Sequence, residues 1–290
     1  MELIEKNIKL NINEIKSYEF PMDEVFNLEI NYDNIIFCFI IRFSSKNKKL
    51  LCFGPGAHLR NQKTSQGKLI KPPFFDRWSW YQFFDESFIA YADPTFFYNE
   101  RITIGWFVGN KKNWYIEIIS KIIKKLSENQ NITHNNILFF GSSGGGFSSV
   151  CLGTLIPNSK VLINNSQLFI MNYHEWHVNN VLNLLKKDFP NLHNTDIAKK
   201  IYYRLDVTEL FKKENYMPDI TYYVNIESTT DINNHCLPFI NKIPKLNCFN
   251  ECLNIIFYKE QKEVPHEPMP SEKTIEIIKS FIKKNLNNDE

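Results

Sequence analysis

The sequence predicts an α/β fold with a mostly parallel central sheet and helices on both faces, and three observations lead there. From residue 100 onward, apolar runs of strand length alternate with segments of helical period, the pattern of successive β-α-β units. No Pro/Gly/Ser-rich linker and no internal repeat interrupts the 290 residues, so a single domain spanning 1–290 is expected. Hydrophobic residues make up 43% of the chain and charged residues 23%, an ordinary globular balance with material for a large core.

The elements follow in order. Strand-like runs lie at about 25–31, 35–43 and 48–53, the last two joined by the polar turn SSKNKK, which predicts an antiparallel edge. Further apolar runs follow at 88–92 and 102–108. WYIEIISKIIKKLSE (114–128) repeats its apolar residues at helical spacing with Lys and Glu opposite. A strand at 137–140, a helix from the following glycines to about 155, and a strand at 160–164 come next. A helical region at 173–204 reads as an insertion, a possible cap, before the strand DITYYVNI (219–226). A strand at 253–258 and the terminal helix SEKTIEIIKSFIKKNL close the pattern.

Composition excludes several classes. A net charge of +2 disfavours a nucleic-acid binder. MELIEKNIKL lacks the apolar core of a signal peptide, and the longest apolar run, IIFCFII (35–41), is far too short to span a bilayer. The six cysteines lie mostly in apolar segments and read as reduced core thiols, so a cytoplasmic location is expected. Cys248 and Cys252 form a lone CxxxC without a second pair, and HEWH (174–177) offers two histidines without a further ligand. No metal site is expected from either. His174 and His177, flanking Trp176, read instead as a pocket wall in the cap.

The glycine cluster carries the chemistry. Four of the ten glycines fall within 141–146, in FFGSSGGGFSSV. A Walker loop requires a Lys after its last glycine, and a dinucleotide fingerprint requires an acid beyond the next strand. GSSGGG has no such Lys, and KVLINN supplies no such acid. What fits is G-x-S-x-G between a strand and a helix. A nucleophile elbow holds its serine in strained backbone angles, so the residues two before and two after must be small. Ser142 has Phe140 two residues before it and fails, whereas Ser143, between Gly141 and Gly145, passes. A plain Gly/Ser turn would look similar, so the partners matter.

Those partners stand in the chain order of the α/β-hydrolase arrangement: nucleophile, acid after a later strand, histidine after the last strand. His266 lies in KEVPHEPMPSE, between the last strand and the last helix, and is the only histidine after 235. Asp231, in the turn ESTTDINNH, is the expected acid, with Glu227 at the strand end as the alternative. His235, four residues beyond Asp231, reads as structural. The oxyanion hole needs two backbone donors. Gly144, following the nucleophile, supplies one. The loop FGPGA supplies the other from Gly56, Ala57 or a close neighbour, because Pro55 has no N–H, and Ala57 best fits the position.

With these residues in view, the chain resembles the serine-dependent O-acetyltransferases of bacterial capsular polysaccharides, within the α/β-hydrolase superfamily. The resemblance rests on ILFFGSSGGGFSS, FGPGA, PPFFDRWSW with ADPT after it, the acid turn with NHCLPF, and the His266 loop, together covering about 48–285. It implies acetyl-CoA as co-substrate, an acyl-enzyme on Ser143, His266 as general base and acid, Asp231 as the residue orienting it, and a polysaccharide or oligosaccharide acceptor. It also implies possible association with capsule assembly machinery. Pro55 departs from the family's oxyanion loop.

A glycan acceptor also has support from residue types. KPPFFDRWSWYQFF (71–84) gathers aromatic faces that stack on sugar rings, and Arg77 with Lys63, Lys68 and Lys71 would hold an acidic polymer. Arg77, Trp78 and Trp80 are the candidate acceptor contacts, although such aromatics also serve as core. Two other readings remain at this stage: a serine esterase, which passes through the same acyl-enzyme, and a non-catalytic glycan-binding assembly protein on the same scaffold.

Overall fold

The computed structural model describes residues 4–61, 63, 67–249 and 253–286. Its centre is a nine-stranded sheet. The strands are β1 (Asn7–Asn11), β2 (Val25–Tyr32), β3 (Ile35–Arg42), β4 (Leu50–Phe53), β5 (Ser87–Tyr91), β6 (Ile137–Ser143), β7 (Lys160–Ser166), β8 (Asp219–Asn225) and β9 (Leu253–Tyr258). Their spatial order is β1-β2-β3-β5-β4-β6-β7-β8-β9. Among these named strands only β3 runs against the rest, pairing antiparallel with β2 and β5.

The helices are α1 (Tyr115–Asn129), α2 (Gly144–Leu155), α3 (Glu175–Leu185), α4 (Asn194–Lys200), α5 (Val207–Glu214), the single turn α6 (Thr229–Asp231), α7 (Leu237–Lys242) and α8 (Ser271–Asn285). The helical expectation at 173–204 corresponds to α3 and α4. Among the described residues, no helix is long and apolar enough to cross a membrane.

Strand alternation divides the interior into two cores. Leu50 and Cys52 of β4, Ile89 and Tyr91 of β5, and Ile137 and Phe139 of β6 point to one face, where α1, α2 and α5 cover them. Leu51, Phe53, Phe88, Ala90, Leu138 and Phe140 point to the other, beneath α8. That alternation is the period-2 geometry of a strand buried on both faces. In α1, Ile116, Ile118, Ile119, Ile122, Ile123 and Leu126 are all buried. Each contributes about 2 kcal/mol by leaving water, far above the few tenths of a kcal/mol expected of its exposed Glu117–Lys121 pair. Burial, not charge pairing, holds this helix. α2 is buried on every side except at its last residue, as a run of GGGFSSVCLGTL with one charge-free face after another would require.

Two expectations are corrected, and one strand is added. The hairpin joins β2 to β3 through Asp33 and Asn34, both with positive φ (51° and 60°), as a two-residue turn matching strand twist demands. β3 and β4 are not neighbours. All four residues of β4 are buried, and β5 pairs it on one side while β6 pairs it on the other. The apolar run 102–108 is a buried loop, turned by Trp106 and Phe107 at φ 47° and 55°. The Phe107 amide donates to Asp93 there at 2.8 Å, which a strand ladder would not allow. β1, with one buried side chain in five residues, was not anticipated.

Candidate active site

The candidate residues meet at the carboxyl ends of β6, β8 and β9, where open parallel sheets form their ligand crevice. Ser143 ends β6 and caps α2 with φ 54° and ψ −127°, a strained turn for a residue with a Cβ. The flanking glycines explain why the turn can exist. A Cβ on Gly141 would strike the backbone of Gly145 and Gly146, and one on Gly145 would strike the carbonyl of Gly54. A Cβ on Gly144 would lie 2.6 Å from Ile104 Cδ1. The elbow is therefore wedged between the 54–56 loop and the 104–106 loop.

Ser143 Oγ lies 2.9 Å from His266 Nε2. His266 Nδ1 faces both carboxylate oxygens of Asp231 at 2.9 Å. Asp231 is buried, and Ser228 Oγ donates to its Oδ2 at 2.6 Å. With Nδ1–H directed at the carboxylate, Nε2 is left to accept the serine proton. Glu227 is elsewhere, paired with Lys259 at 3.1 Å near the surface.

The candidate oxyanion donors are narrowed by elimination. The Gly56 amide donates to Asp76 Oδ2 at 2.7 Å, and the His58 amide to the Thr103 carbonyl at 2.7 Å. Between them, the amide of exposed Ala57 has no protein acceptor among the described residues. Gly144 is the first residue of α2, so its amide has no intrahelical acceptor and lies at the positive end of the helix. Burial alone would raise the Asp76 carboxyl, but the His58 side chain, Arg77 and the Gly56 amide together hold it below its usual value.

The aromatic segment divides between core and site. Trp78 and Trp80 are partly buried against the second core, with Trp80 edge-on to Phe53 at 6.1 Å. Arg77 reaches the elbow: its guanidinium donates to Ser142 Oγ at 2.7 Å and lies 5.4 Å from the ring centres of both Trp80 and Phe140. Desolvation draws its pKa below the usual arginine value, and Asp76 opposes that. Ser142, rejected as nucleophile, is thus the anchor for Arg77. Of the lysines on that segment, Lys71 is exposed and lines a separate surface cavity of about 420 Å³ with Arg60 and Phe97.

His235 is buried and stacks on Phe169, and its Nδ1 accepts from the Leu168 amide at 3.3 Å. Burial lowers its pKa to about 4. In the 173–204 segment, His177 Nδ1 meets Thr103 Oγ1 at 2.9 Å, tying α3 to the 102–108 loop. Among the described residues no group of His, Cys, Asp or Glu could hold a metal ion, and Cys252 lies outside the described residues.

Sequence reasoning missed the amides that hold the site. Asn165 donates toward the carbonyls of Pro265, His266 and Glu267 at 3.4, 3.3 and 3.1 Å, while its oxygen accepts from the Asn225 amide. Asn225 donates to the Glu260 and Pro265 carbonyls, and Asn164 accepts from the Met269 amide. Gln167 Nε2 donates to Ser143 Oγ at 3.1 Å, and Trp106 Nε1 donates to Gln167 Oε1 at 2.6 Å. The available signal was the run NNSQ at the end of a parallel strand, uncharged amides where exposure would favour charge.

No protein-family model matches the sequence, and a search of curated proteins finds none that matches. Solved structures do match. A variant of the capsule O-acetyltransferase of Neisseria meningitidis serogroup A, in complex with CoA, superposes with a TM-score of 0.64 at 13% identity, covering 93% of this chain and 99% of that one. An S-formylglutathione hydrolase from Agrobacterium tumefaciens gives 0.59 at 9% identity, covering 91% and 95%. Acetyl xylan esterase 1 from a Thermoanaerobacterium species gives 0.52 at 13% identity, covering 93% and 86%. With its mostly parallel sheet, its helices on both faces and these neighbours, the chain has the α/β-hydrolase fold.

Proposed function

We propose that this protein is a serine-dependent O-acetyltransferase that moves an acetyl group from acetyl-CoA to a sugar hydroxyl of a bacterial surface polysaccharide. The observation that carries the reading is the continuous line Ser143 Oγ, His266 imidazole, Asp231 carboxylate at a strained elbow. The structural likeness to a capsule O-acetyltransferase held with CoA supports the choice of donor and acceptor.

In this reading the Ser143 proton passes to His266 Nε2 as Oγ bonds to the thioester carbonyl carbon. The oxyanion forms between the Ala57 and Gly144 amides, each worth about 3 kcal/mol to the transition state. Collapse breaks the carbon–sulfur bond, and His266 returns its proton to the CoA sulfur. The acceptor hydroxyl then gives its proton to Nε2 and bonds to the acyl carbon. The carbon–Oγ bond breaks, and the proton returns to Ser143. Arg77, Trp78 and Trp80 are proposed to meet the acceptor with the surface they keep in solvent.

Incubation with acetyl-CoA is expected to leave one acetyl group on Ser143, read by mass spectrometry of the intact protein and its peptides. Addition of capsule oligosaccharides should discharge it onto the sugar. Ser143→Ala should lose the adduct and reduce turnover by about 10⁴-fold or more with the fold intact. Turnover retained in that variant would overturn the serine mechanism. Discharge to water alone, with every glycan refused, would make the protein an esterase.

A further inference from the structure

Gln167 is fully buried, and its carboxamide bridges Trp106 and Ser143, with the Tyr173 hydroxyl a further hydrogen-bond partner. The Trp106 indole N–H can only donate, so the atom facing it at 2.6 Å is the carboxamide oxygen. The –NH₂ group therefore faces Ser143 Oγ, at 3.1 Å. An amide nitrogen cannot accept. The Ser143 hydroxyl hydrogen thus has one acceptor at this carboxamide–imidazole pair, His266 Nε2 at 2.9 Å. Donor and acceptor chemistry fixes an orientation that an isolated glutamine would leave open.

Trp106 is itself held. It and Phe107 occupy left-handed backbone angles in succession. The Asp93 carboxylate secures that turn by accepting from the Phe107 amide at 2.8 Å, and the absence of a Cβ at Gly105 lets Asp93 approach. The backbone adds a further tie, because the Gln167 amide donates to the Ser143 carbonyl at 3.2 Å. A strained loop has thus been fixed so that one indole N–H points at one carboxamide.

We propose that Gln167 is a further catalytic residue of this site, a side-chain donor to the nucleophile oxygen. It aims the serine proton at His266 before substrate arrives, and it stabilises negative charge on Oγ when that atom attacks and again when it departs from the acyl group. No bond to Gln167 forms or breaks; its N–H remains on the carboxamide throughout. A hydrogen bond to an anionic oxygen is roughly twice as strong as one to a neutral oxygen, so the donor favours the transition state over the resting hydroxyl. This role rests on Ser143 being the nucleophile, and the experiment separates the two.

The test is the second-order rate at which a fluorophosphonate labels Ser143, compared at matched thermal midpoint. Gln167→Met keeps the length and removes both polar groups, and labelling should slow by about 10- to 100-fold, at or below the cost of losing an oxyanion donor. Gln167→Glu keeps an acceptor for Trp106 but turns a carboxylate on Oγ, and should slow labelling at least as much. Trp106→Phe frees the carboxamide to rotate and should give a smaller loss with Gln167 intact. Wild-type rates in a folded Gln167→Met overturn the proposal, as do wild-type rates in Gln167→Glu should the methionine variant fail to fold. A wild-type protein that resists the label overturns the serine mechanism itself, before Gln167 is at issue.

Discussion

Ser143 stands in a backbone conformation that L-residues rarely adopt, and its neighbours carry the strain through the absence of side chains at Gly141 and Gly145. The catalytic proposal at this scale depends on tautomer as much as on distance. Asp231 is buried and accepts from both His266 Nδ1 and Ser228 Oγ, so the imidazole proton sits on Nδ1 and Nε2 is left to accept from Ser143 Oγ. Asp231→Asn should preserve the packing while an amide N–H competes for the same imidazole nitrogen. Turnover should fall by about 10⁴-fold through the wrong tautomer, with little change in thermal midpoint, measured by acetyl-CoA turnover beside calorimetry. A loss under tenfold would place the orienting role elsewhere.

At the scale of elements, the His266 loop is not rigid by its prolines alone. Asn165, at the end of β7 with φ 43°, reaches three successive carbonyls of that loop, and Asn225 at the end of β8 reaches a fourth group. Asn165→Ala should let His266 drift, lowering kcat by about 10- to 100-fold because small misplacements of a reacting group are costly. KM for the donor should hardly move, and steady-state kinetics would read both. Equal loss in both parameters would mean the crevice itself had deformed.

The turn after α6 carries a pH dependence. Burial depresses the His235 pKa to about 4, so the folded state favours its neutral form. Its contribution to stability is therefore complete above the ordinary histidine value near 6.5 and is lost as pH falls through about 4. Asp93 acts with the opposite sign: burial raises its carboxyl to about 6, so its contribution is greatest at low pH and fades as pH rises through that value. The two overlap, and a difference measurement separates them. His235→Asn keeps an acceptor for the Leu168 amide and removes the titration. Between pH 7 and pH 4 the wild type should lose about 3 kcal/mol relative to this variant in urea unfolding. Parallel curves would refute the assignment.

Across the whole molecule, one sheet separates two cores, and the strands contribute alternate side chains to each. Unfolding either core strips one face of every central strand, so the two should melt together. A single thermal transition is expected, coincident by far-ultraviolet dichroism and by tryptophan fluorescence. Trp176, exposed on α3, reports the proposed cap, while buried Trp106 and Trp114 report the first core. Separate transitions at the two probes would make the 173–204 region a unit of its own.

The sequence by itself determined what depends on local pattern. Strand and helix periods gave the α/β class, the glycine spacing singled out Ser143 over Ser142, chain order proposed His266, and the Ser/Thr-rich turn proposed Asp231 over Glu227. These follow because steric demands at an elbow and the alternation of a buried strand are written in adjacent residues. Strand order was not legible: SSKNKK looks like a hairpin turn, yet β5 enters between its flanking strands. Nor was the 102–108 loop, whose apolar residues are buried without a ladder because Asp93, Arg60, Arg204 and the His58 amide together satisfy backbone groups along it. The tertiary structure alone decided that Trp106, Gln167 and Ser143, separated by up to 61 residues in pairwise contact, share one polar chain. Hydrogen-bond partners are chosen by proximity after folding, and a neutral amide carries no sign in the sequence of which oxygen it will meet.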